Sequence, residues 1–412
     1  LFRSIMNKKK IALVMGFIIL VFILGFALYL VFFKPTSSIT PSGDFGPGNL
    51  PGIGNGNITI IDDNVNGNTN DTLPWQAYIQ DKITDVANGG LTTVTELIPN
   101  EVKGVASSPN GLQYYDTETQ KFYRINANGE IEELSNKLFY QVDQITWSGN
   151  GDKAILEYPD GSNILYNFKT GQQITLPIEM EDFSFDASNN KIAAKWIGTN
   201  EEDNWLVLAN DDGSGMSLIE PLGDQAHHTF VGFSPDNQVA VMHRKYIDAQ
   251  RQKIYPIGLN GESFKSFTVD GAGFESDWSP EGSSMVYRVY NEASNYNPNL
   301  WVTNGRTSEL GDIKVSLNLA TWPDKCSFAG EDGMYCAVPQ GLPRGAGLYP
   351  EIAERYPDNF YYINLNSGVK NLIASPVGEN GSYTAHNLFP SPDGSVLYFT
   401  DGDGNLQSIR LQ

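Results

Sequence analysis

The turn FSPDN at residues 233–237 leads into the apolar run QVAVM, and the same arrangement returns as WSPEG at 278–282 and PSPDG at 390–394. Pro fixes φ, and Asp or Asn near Gly favours a tight reversal, so each motif predicts a turn between two antiparallel strands. Related turns recur along the chain as SSPNG at 107–111, WSGNG at 147–151, FDASN at 185–189 and FAGEDG at 328–333. The chain therefore repeats one strand–turn–strand unit.

The spacing of these turns predicts the fold. The intervals between successive turns are 40, 38, 48, 45, 50 and 62 residues when these positions are taken as equivalent: Ser108, Ser148, Asp186, Ser234, Ser279, Ala329 and Ser391. Repeats of this length are typical of propeller blades. We therefore predict an all-β, seven-bladed β-propeller of four-stranded blades. The last unit supplies only three strands, so LTTVTELI at 91–98 is expected to close the ring from the N-terminal side.

The motif of Trp or Phe followed by Ser-Pro-Asp/Glu-Gly and an apolar strand resembles the WD40-like repeat of TolB-type propellers. This resemblance extends from about residue 103 to the C-terminus. The Gly-His and Trp-Asp dipeptides of true WD40 repeats are absent from the sequence. The segment KCSFAGEDGMYCAVP also resembles a blade of membrane-anchored bacterial propellers. The resemblance implies protein binding in the periplasm or at the cell surface, although a fold does not fix a function.

The N-terminal region predicts a membrane anchor. Residues 11–33 contain no charge and would span roughly 34 Å as a helix, and Lys8, Lys9 and Lys10 precede them. The positive-inside rule then places the N-terminus in the cytoplasm and the propeller outside the membrane. A cleaved signal peptide is the alternative, but the apolar run is long and no A-x-A site follows. Leu1 and Met6 both remain candidate start positions.

These features predict five segments along the chain. They are a cytoplasmic basic tail (1–10), a transmembrane helix (11–33), a tether rich in Gly, Pro and Asn (34–73), a short amphipathic helix (74–90) and the propeller (91–412).

Charge and motifs exclude several functions. The chain carries 27 basic and 48 acidic residues, a formal charge of −21, so a nucleic-acid partner is not expected. No G-x-S-x-G, P-loop, HExxH or dinucleotide fingerprint occurs, and we predict neither an enzyme nor a bound cofactor or metal.

Long, side-chain-rich loops indicate where a partner would bind. They fall either between the second and third strands of a blade or between successive blades. Loops at these two positions lie on the same face of a propeller, which we call the loop face. We expect a protein or peptide of the cell envelope to bind there, with an envelope glycan-binding protein or glycan hydrolase as the alternative. The candidate binding residues are His227, His228, His243, Arg244, Lys245, Arg251, Lys253, Tyr290, Tyr296, Arg344, Tyr349 and Arg355.

Cys326 and Cys336 are the only cysteines and flank the turn at 328–333. Two cysteines are too few for a structural zinc site. On adjacent antiparallel strands they would be close enough for a disulfide, while a reduced buried pair is the alternative.

Overall fold

The computed structural model describes residues 83–378 and 381–411. Within these residues the chain forms 29 β-strands and four short 3-10 helices. The helices are Glu201–Asp203, Gly223–His228, Pro323–Lys325 and Pro350–Arg355. The prediction of an all-β propeller is confirmed.

Four sheets contain four antiparallel strands each, and in each sheet the strands are paired in chain order. Sheet I consists of β6 (Gln144–Trp147), β7 (Lys153–Glu157), β8 (Asn163–Asn167) and β9 (Gln173–Leu176). Sheet II consists of β10 (Met180–Phe185), β11 (Lys191–Trp196), β12 (Trp205–Asn210) and β13 (Ser217–Pro221). Sheet III consists of β14 (Thr229–Val231), β15 (Val239–Asp248), β16 (Arg251–Gly258) and β17 (Phe267–Val269). Sheet IV consists of β18 (Ala272–Trp278), β19 (Ser284–Tyr290), β20 (Asn299–Asn304) and β21 (Lys314–Ser316).

The other two sheets are larger. Sheet V has six strands: β1 (Gly90–Thr93), β22 (Cys326–Phe328), β23 (Gly333–Pro339), β24 (Asp358–Asn364), β25 (Lys370–Gly378) and β26 (Gly381–Ser382). Sheet VI has seven strands: β2 (Thr95–Ser108), β3 (Gly111–Asp116), β4 (Lys121–Ile125), β5 (Ile131–Glu133), β27 (Ala385–Pro390), β28 (Val396–Asp401) and β29 (Asn405–Arg410).

The prediction of seven separate four-stranded blades is therefore wrong. The described strands form six hydrogen-bonded sheets, and only four of these have four strands. The physical reason is the length of β2, which has 14 residues. Its first part pairs with β29 and its second part with β3, so one strand joins the C-terminal hairpin and the first hairpins into one sheet.

The single strand expected over residues 91–98 is also corrected. Residues 90–93 form β1, which pairs in parallel with β25 of sheet V, whereas β2 begins at Thr95 and belongs to sheet VI. Two neighbouring segments of the chain thus join two different sheets.

The segments predicted for the N-terminal region lie largely outside the described residues. This holds for the predicted basic tail (1–10), transmembrane helix (11–33) and tether (34–73). Of the helix predicted over 74–90, only residues 83–90 are described, and there Thr84 and Val86 form isolated β-bridges instead. In the described part of the chain, every helix is too short to cross a membrane. The single-pass membrane protein that the sequence predicts is therefore not supported by any helix of the described residues.

Apolar strands hold the sheets together face to face. In β7, Ala154, Ile155 and Leu156 are completely buried, because the strand is covered on both sides. Ile155 packs in the cluster that contains Val207 of sheet II, while Leu156 packs in the cluster that contains Phe122 of sheet VI. A continuous apolar run of this kind is typical of a strand buried on both faces.

The repeated turns also contact one another. The backbone N–H of Asn150 donates to Oδ1 of Asn189 at 3.3 Å, and that of Ala187 donates to Oδ1 of Asn237 at 2.8 Å. Asn189 and Asn237 have φ of 59° and 56°, a left-handed conformation that Asn tolerates better than most residues. Asn189 and Asn237, each the fifth residue of its turn motif, therefore shape their own turn and link it to the turn of the preceding sheet.

Cys326 and Cys336 are directly opposed on β22 and β23, with α-carbons 4.1 Å apart, and are joined by a disulfide. Cys336 is fully buried and Cys326 nearly so. The bond links the first two strands of sheet V.

We expect alkylation of the unreduced protein in denaturant, where buried thiols become accessible, to modify no cysteine, as measured by mass spectrometry. Reduction should lower the free energy of unfolding by about 2 to 3 kcal/mol, because the bond closes a short loop in the unfolded chain. The unreduced wild type under the same conditions is the control. Two alkylated thiols before reduction would show that the pair is a buried dithiol.

Candidate functional site

The main functional candidate is a cavity of about 830 Å³ at the first strands of sheets IV, V and VI. First strands line the central channel of a propeller, so we call it the central cavity. The residues that line it include Ser107, Pro109, Gly149, Glu275, Asp277, Pro280, Asp324, Ser327, Asn387 and Phe389. Its volume suits a small molecule or an inserted side chain.

Three carboxylates line this cavity. Glu275 and Asp277 are two positions apart on β18, so both side chains lie on the same face of the strand. Asp324 comes from the 3-10 helix Pro323–Lys325, which directly precedes β22. Asp277 and Asp324 are open to the cavity, and neither forms an ion pair with another described residue.

The protein environment disfavours the charged forms of these groups. Desolvation raises the pKa of Asp277 to about 6, and a hydrogen bond from the Trp278 backbone N–H opposes this only in part. Desolvation also raises the pKa of Asp324, and the nearby carboxylate of Glu275 adds to the effect. Carboxyl groups with raised pKa values in a cavity are a feature of functional sites, although structural networks can produce them too.

Two arginines lie beside Glu275. Arg288 is buried, forms a two-pronged ion pair with Glu275 and donates to the carbonyl of Gly347 at 3.1 Å. Arg244 stacks over the ring of Phe230 at 4.5 Å and donates to the carbonyl of Phe274 at 3.3 Å. Both guanidinium groups therefore lie close to Glu275, but outside the residues that line the cavity.

The Nε–H of Arg244 is buried and has no acceptor among the described residues. Desolvation lowers the pKa of this guanidinium. A buried donor without a partner costs free energy, so the position of Arg244 lowers the stability of the fold.

A buried ion pair fixes the wall on the other side. Lys325 donates to Asp358 at 2.8 Å, and both side chains are almost fully buried. Asp358 also accepts from the backbone N–H of Ala385 at 2.7 Å, which ties β24 to β27. Desolvation raises the pKa of Asp358 and the charge of Lys325 opposes this rise. Removal of one partner from such a pair is strongly destabilising, so these residues have a structural role.

Seven of the candidate binding residues lie on or beside sheet III. His227 and His228 end the 3-10 helix Gly223–His228, their rings are 3.9 Å apart, and Tyr246 lies 5.9 Å from His228. His243 approaches the hydroxyl of Thr229 at 3.2 Å, and desolvation lowers its pKa. The remaining four are Arg244, Lys245, Arg251 and Lys253.

These cations are not equally available. Lys245 is exposed and forms no ion pair with a described residue, and Lys253 lies 5.4 Å from the ring of Tyr255. Arg251 is held by Asp248 at 2.7 Å, so most of its charge is neutralised locally.

The other five candidates belong to two loops that dock on each other. Tyr290 ends β19 and Tyr296 lies in the loop after it, while the insert after β23 carries Arg344, Tyr349 and Arg355. The backbone N–H groups of Gly345 and Gly347 donate to the carbonyls of Asn295 and Tyr296, each at 2.9 Å. The insert is therefore packed against sheet IV, and Tyr349 remains exposed at its tip.

The sequence analysis missed Glu275, Asp277, Asp324 and Arg288. The only local signal was the alternation of Glu275 and Asp277 just before the WSPEG turn, which places two acids on the inner face of a first strand.

Solved structures share the fold. Oligogalacturonate lyase in complex with manganese is 14% identical with a TM-score of 0.50, covering 77% of this chain and 93% of that one. The oligogalacturonate lyase of Vibrio parahaemolyticus is 12% identical with the same TM-score and coverage. The tricorn protease is 10% identical, with a TM-score of 0.47, covering 77% of this chain and 34% of that one.

The structural likeness to the two lyases shows the β-propeller fold alone and does not extend to function. No family model and no curated protein matches the sequence. The resemblance to TolB-type repeats therefore stays a resemblance.

We expect Asp277→Asn to stabilise the protein at pH 8. The pKa of Asp277 is higher in the folded state than in the unfolded chain, so its contribution to stability is full below about pH 3.8 and is lost as pH rises through about 6. The gain should be on the order of 1 kcal/mol at pH 8, allowing for solvent screening, and should vanish near pH 3.5. Chemical unfolding at both pH values measures it.

Asp393→Asn is the matched control, with the opposite sign. Hydrogen bonds from Ser391 and Ser395 lower the pKa of Asp393 to about 2, so its carboxylate stabilises the fold above pH 3.8. This variant should be less stable than wild type at pH 8. Equal effects of the two substitutions on stability would contradict the raised pKa of Asp277.

Proposed function

We propose that the chain is a binding module that takes a segment of a protein or peptide partner into the central cavity. The observation that carries the proposal is the acidic wall of the cavity, formed by Glu275, Asp277 and Asp324, in which Asp277 and Asp324 have no ion-pair partner among the described residues. A basic side chain of a peptide segment complements such a wall.

The acidic wall favours a basic side chain. Asp277 and Asp324 lack ion-pair partners among the described residues, and a Lys or Arg placed between them would stabilise their charged forms. The net charge of −21 would also attract a basic partner from a distance.

Arg244, close to Glu275, is a second candidate contact. Its guanidinium would attract a carboxylate of the partner. Tyr246 and Tyr290 lie near Arg244 and would contact the flanks of the segment. Tyr and Arg are common anchors of protein interfaces.

A displayed library of random peptides, selected on the full chain, tests this proposal. We expect selected peptides to be enriched in Lys and Arg. Affinity for a selected peptide should fall at least about tenfold in Asp277→Asn/Asp324→Asn, because each lost charge pair in a cavity costs about 1 kcal/mol or more. Calorimetry measures the change.

Glu118→Gln, at an exposed turn outside the cavity, is the control and should bind like wild type. Selected peptides with no basic residue, or equal affinity for the cavity variant and wild type, would contradict the proposal.

A glycan-active role is the second candidate. The observation that favours it is the raised pKa of Asp277, which keeps part of this carboxyl protonated near neutral pH in the cavity that also holds Glu275. Glycoside hydrolases use a protonated acid together with a second carboxylate. Oligogalacturonate, named for two of the similar structures, carries a carboxylate on each sugar, and the acidic wall disfavours such a ligand.

A reducing-sugar assay on neutral and acidic polysaccharides distinguishes the two candidates. Under the binding proposal, neither class is cleaved by wild type. Cleavage of a neutral polysaccharide that is lost in Asp277→Asn, and retained in Glu118→Gln, would favour the glycan-active role.

A further inference from the structure

A second pocket, of about 580 Å³, lies on sheet II and shares no lining residue with the central cavity. One side is apolar and the other is polar. The lining consists of Trp196, Trp205, Met216, Leu218, Glu179, Asp203, Gly198, Thr199 and Ser217.

Two tryptophans form the apolar wall. Trp196 and Trp205 are direct partners at the end of the β11–β12 hairpin, so their side chains project from the same face of the sheet. Both are half-buried and pack on the cluster that contains Val207 and Ile174. The core beneath them fixes their positions, and their remaining surfaces line the pocket.

A β-bulge brings a third apolar side chain to this wall. The register between β12 and β13 shifts between Leu206 and Val207, so that Leu218 pairs with Val207 and lies on the tryptophan face. Leu218 is 55% exposed, an unusual position for a large aliphatic side chain with no partner covering it.

Two carboxylates lie across from the aromatic wall. Glu179 immediately precedes β10, and its side chain forms no hydrogen bond or ion pair with another described residue. Asp203 accepts a hydrogen bond from the side-chain amide of Asn200 at 3.1 Å and has no cationic partner in the described chain. A Cβ on Gly198 would lie 2.3 Å from that of Asp203, so glycine is required for this turn to close.

We infer that this pocket binds a methylated ammonium group. Tryptophan faces attract a cation most strongly among aromatic side chains, and Met216 and Leu218 offer apolar contacts to methyl groups. Glu179 and Asp203 supply the opposite charge. A neutral ligand of the same shape would gain the apolar contacts but lose the charge attraction.

Choline and its neutral carbon isostere, 3,3-dimethylbutan-1-ol, test this inference on the full chain. We expect choline to bind at least about tenfold more tightly, measured by calorimetry or by saturation-transfer NMR. Equal binding of the two compounds, or no binding of choline at millimolar concentration, would overturn the inference.

Variants locate the binding. Glu179→Gln should weaken choline binding at least about threefold and leave isostere binding unchanged, whereas Glu202→Gln, a neighbouring exposed acid outside the pocket, should change neither. Trp205→Leu should weaken choline binding at least about fivefold and Trp205→Phe less. Trp205→Phe keeps the test usable if the Leu variant does not fold. Full choline binding by Glu179→Gln and Trp205→Phe would overturn the inference.

A short peptide that contains trimethyllysine distinguishes the source of the group. Tighter binding of this peptide than of choline indicates a modified protein partner, and equal binding indicates a free small molecule. The Asp277→Asn/Asp324→Asn variant should bind choline like wild type, so failure here and failure of the cavity proposal are separable.

Discussion

The arrangement of the sheets depends on the pairing of β2 with both β29 and β3. This pairing brings residues 95–101 to the last strand of the described chain, more than 300 residues away in sequence, as the contact between Ser408 and Thr95 shows. The order of strands in sheets I to IV follows from local hairpins, which form at little entropic cost because their loops are short. The closing pair instead depends on all the intervening sheets being in place, so it couples the two ends of the fold.

This closure also creates the site. Once the sheets are held in a ring, their first strands face one another, and residues distant in sequence line one cavity: Ser107 from β2, Glu275 from β18 and Asn387 from β27. No single sheet could enclose such a space. The ion pair between Lys325 and Asp358 and the link to Ala385 then hold sheets V and VI at a fixed separation on one side.

The local features were predictable from the sequence, and the long-range ones were not. Pro, Asp and Gly act within a turn, so the motif at 278–282 predicted its hairpin, and the cysteines on either side of the sixth turn do face each other. The division into sheets was wrong because nothing local reveals that β2 changes partner midway. The acids of the cavity were missed because they do not differ locally from the other acidic residues among the 48.

Arg251 shows, for a single side chain, that the local sequence does not reveal which charges are free to bind a partner. It belongs to a basic run in an acidic protein, yet Asp248 three residues earlier neutralises it, whereas Arg244 lacks an acceptor at Nε. The useful contrast is therefore between polar groups whose hydrogen-bond and ion-pair partners are complete and polar groups that lack a partner. Asp277 and Asp324 lack an ion-pair partner in the same sense: desolvation raises their pKa values, and at Asp324 the charge of Lys325 opposes this rise only in part. A protein that keeps such groups loses some stability, and a ligand of complementary charge would recover it on binding.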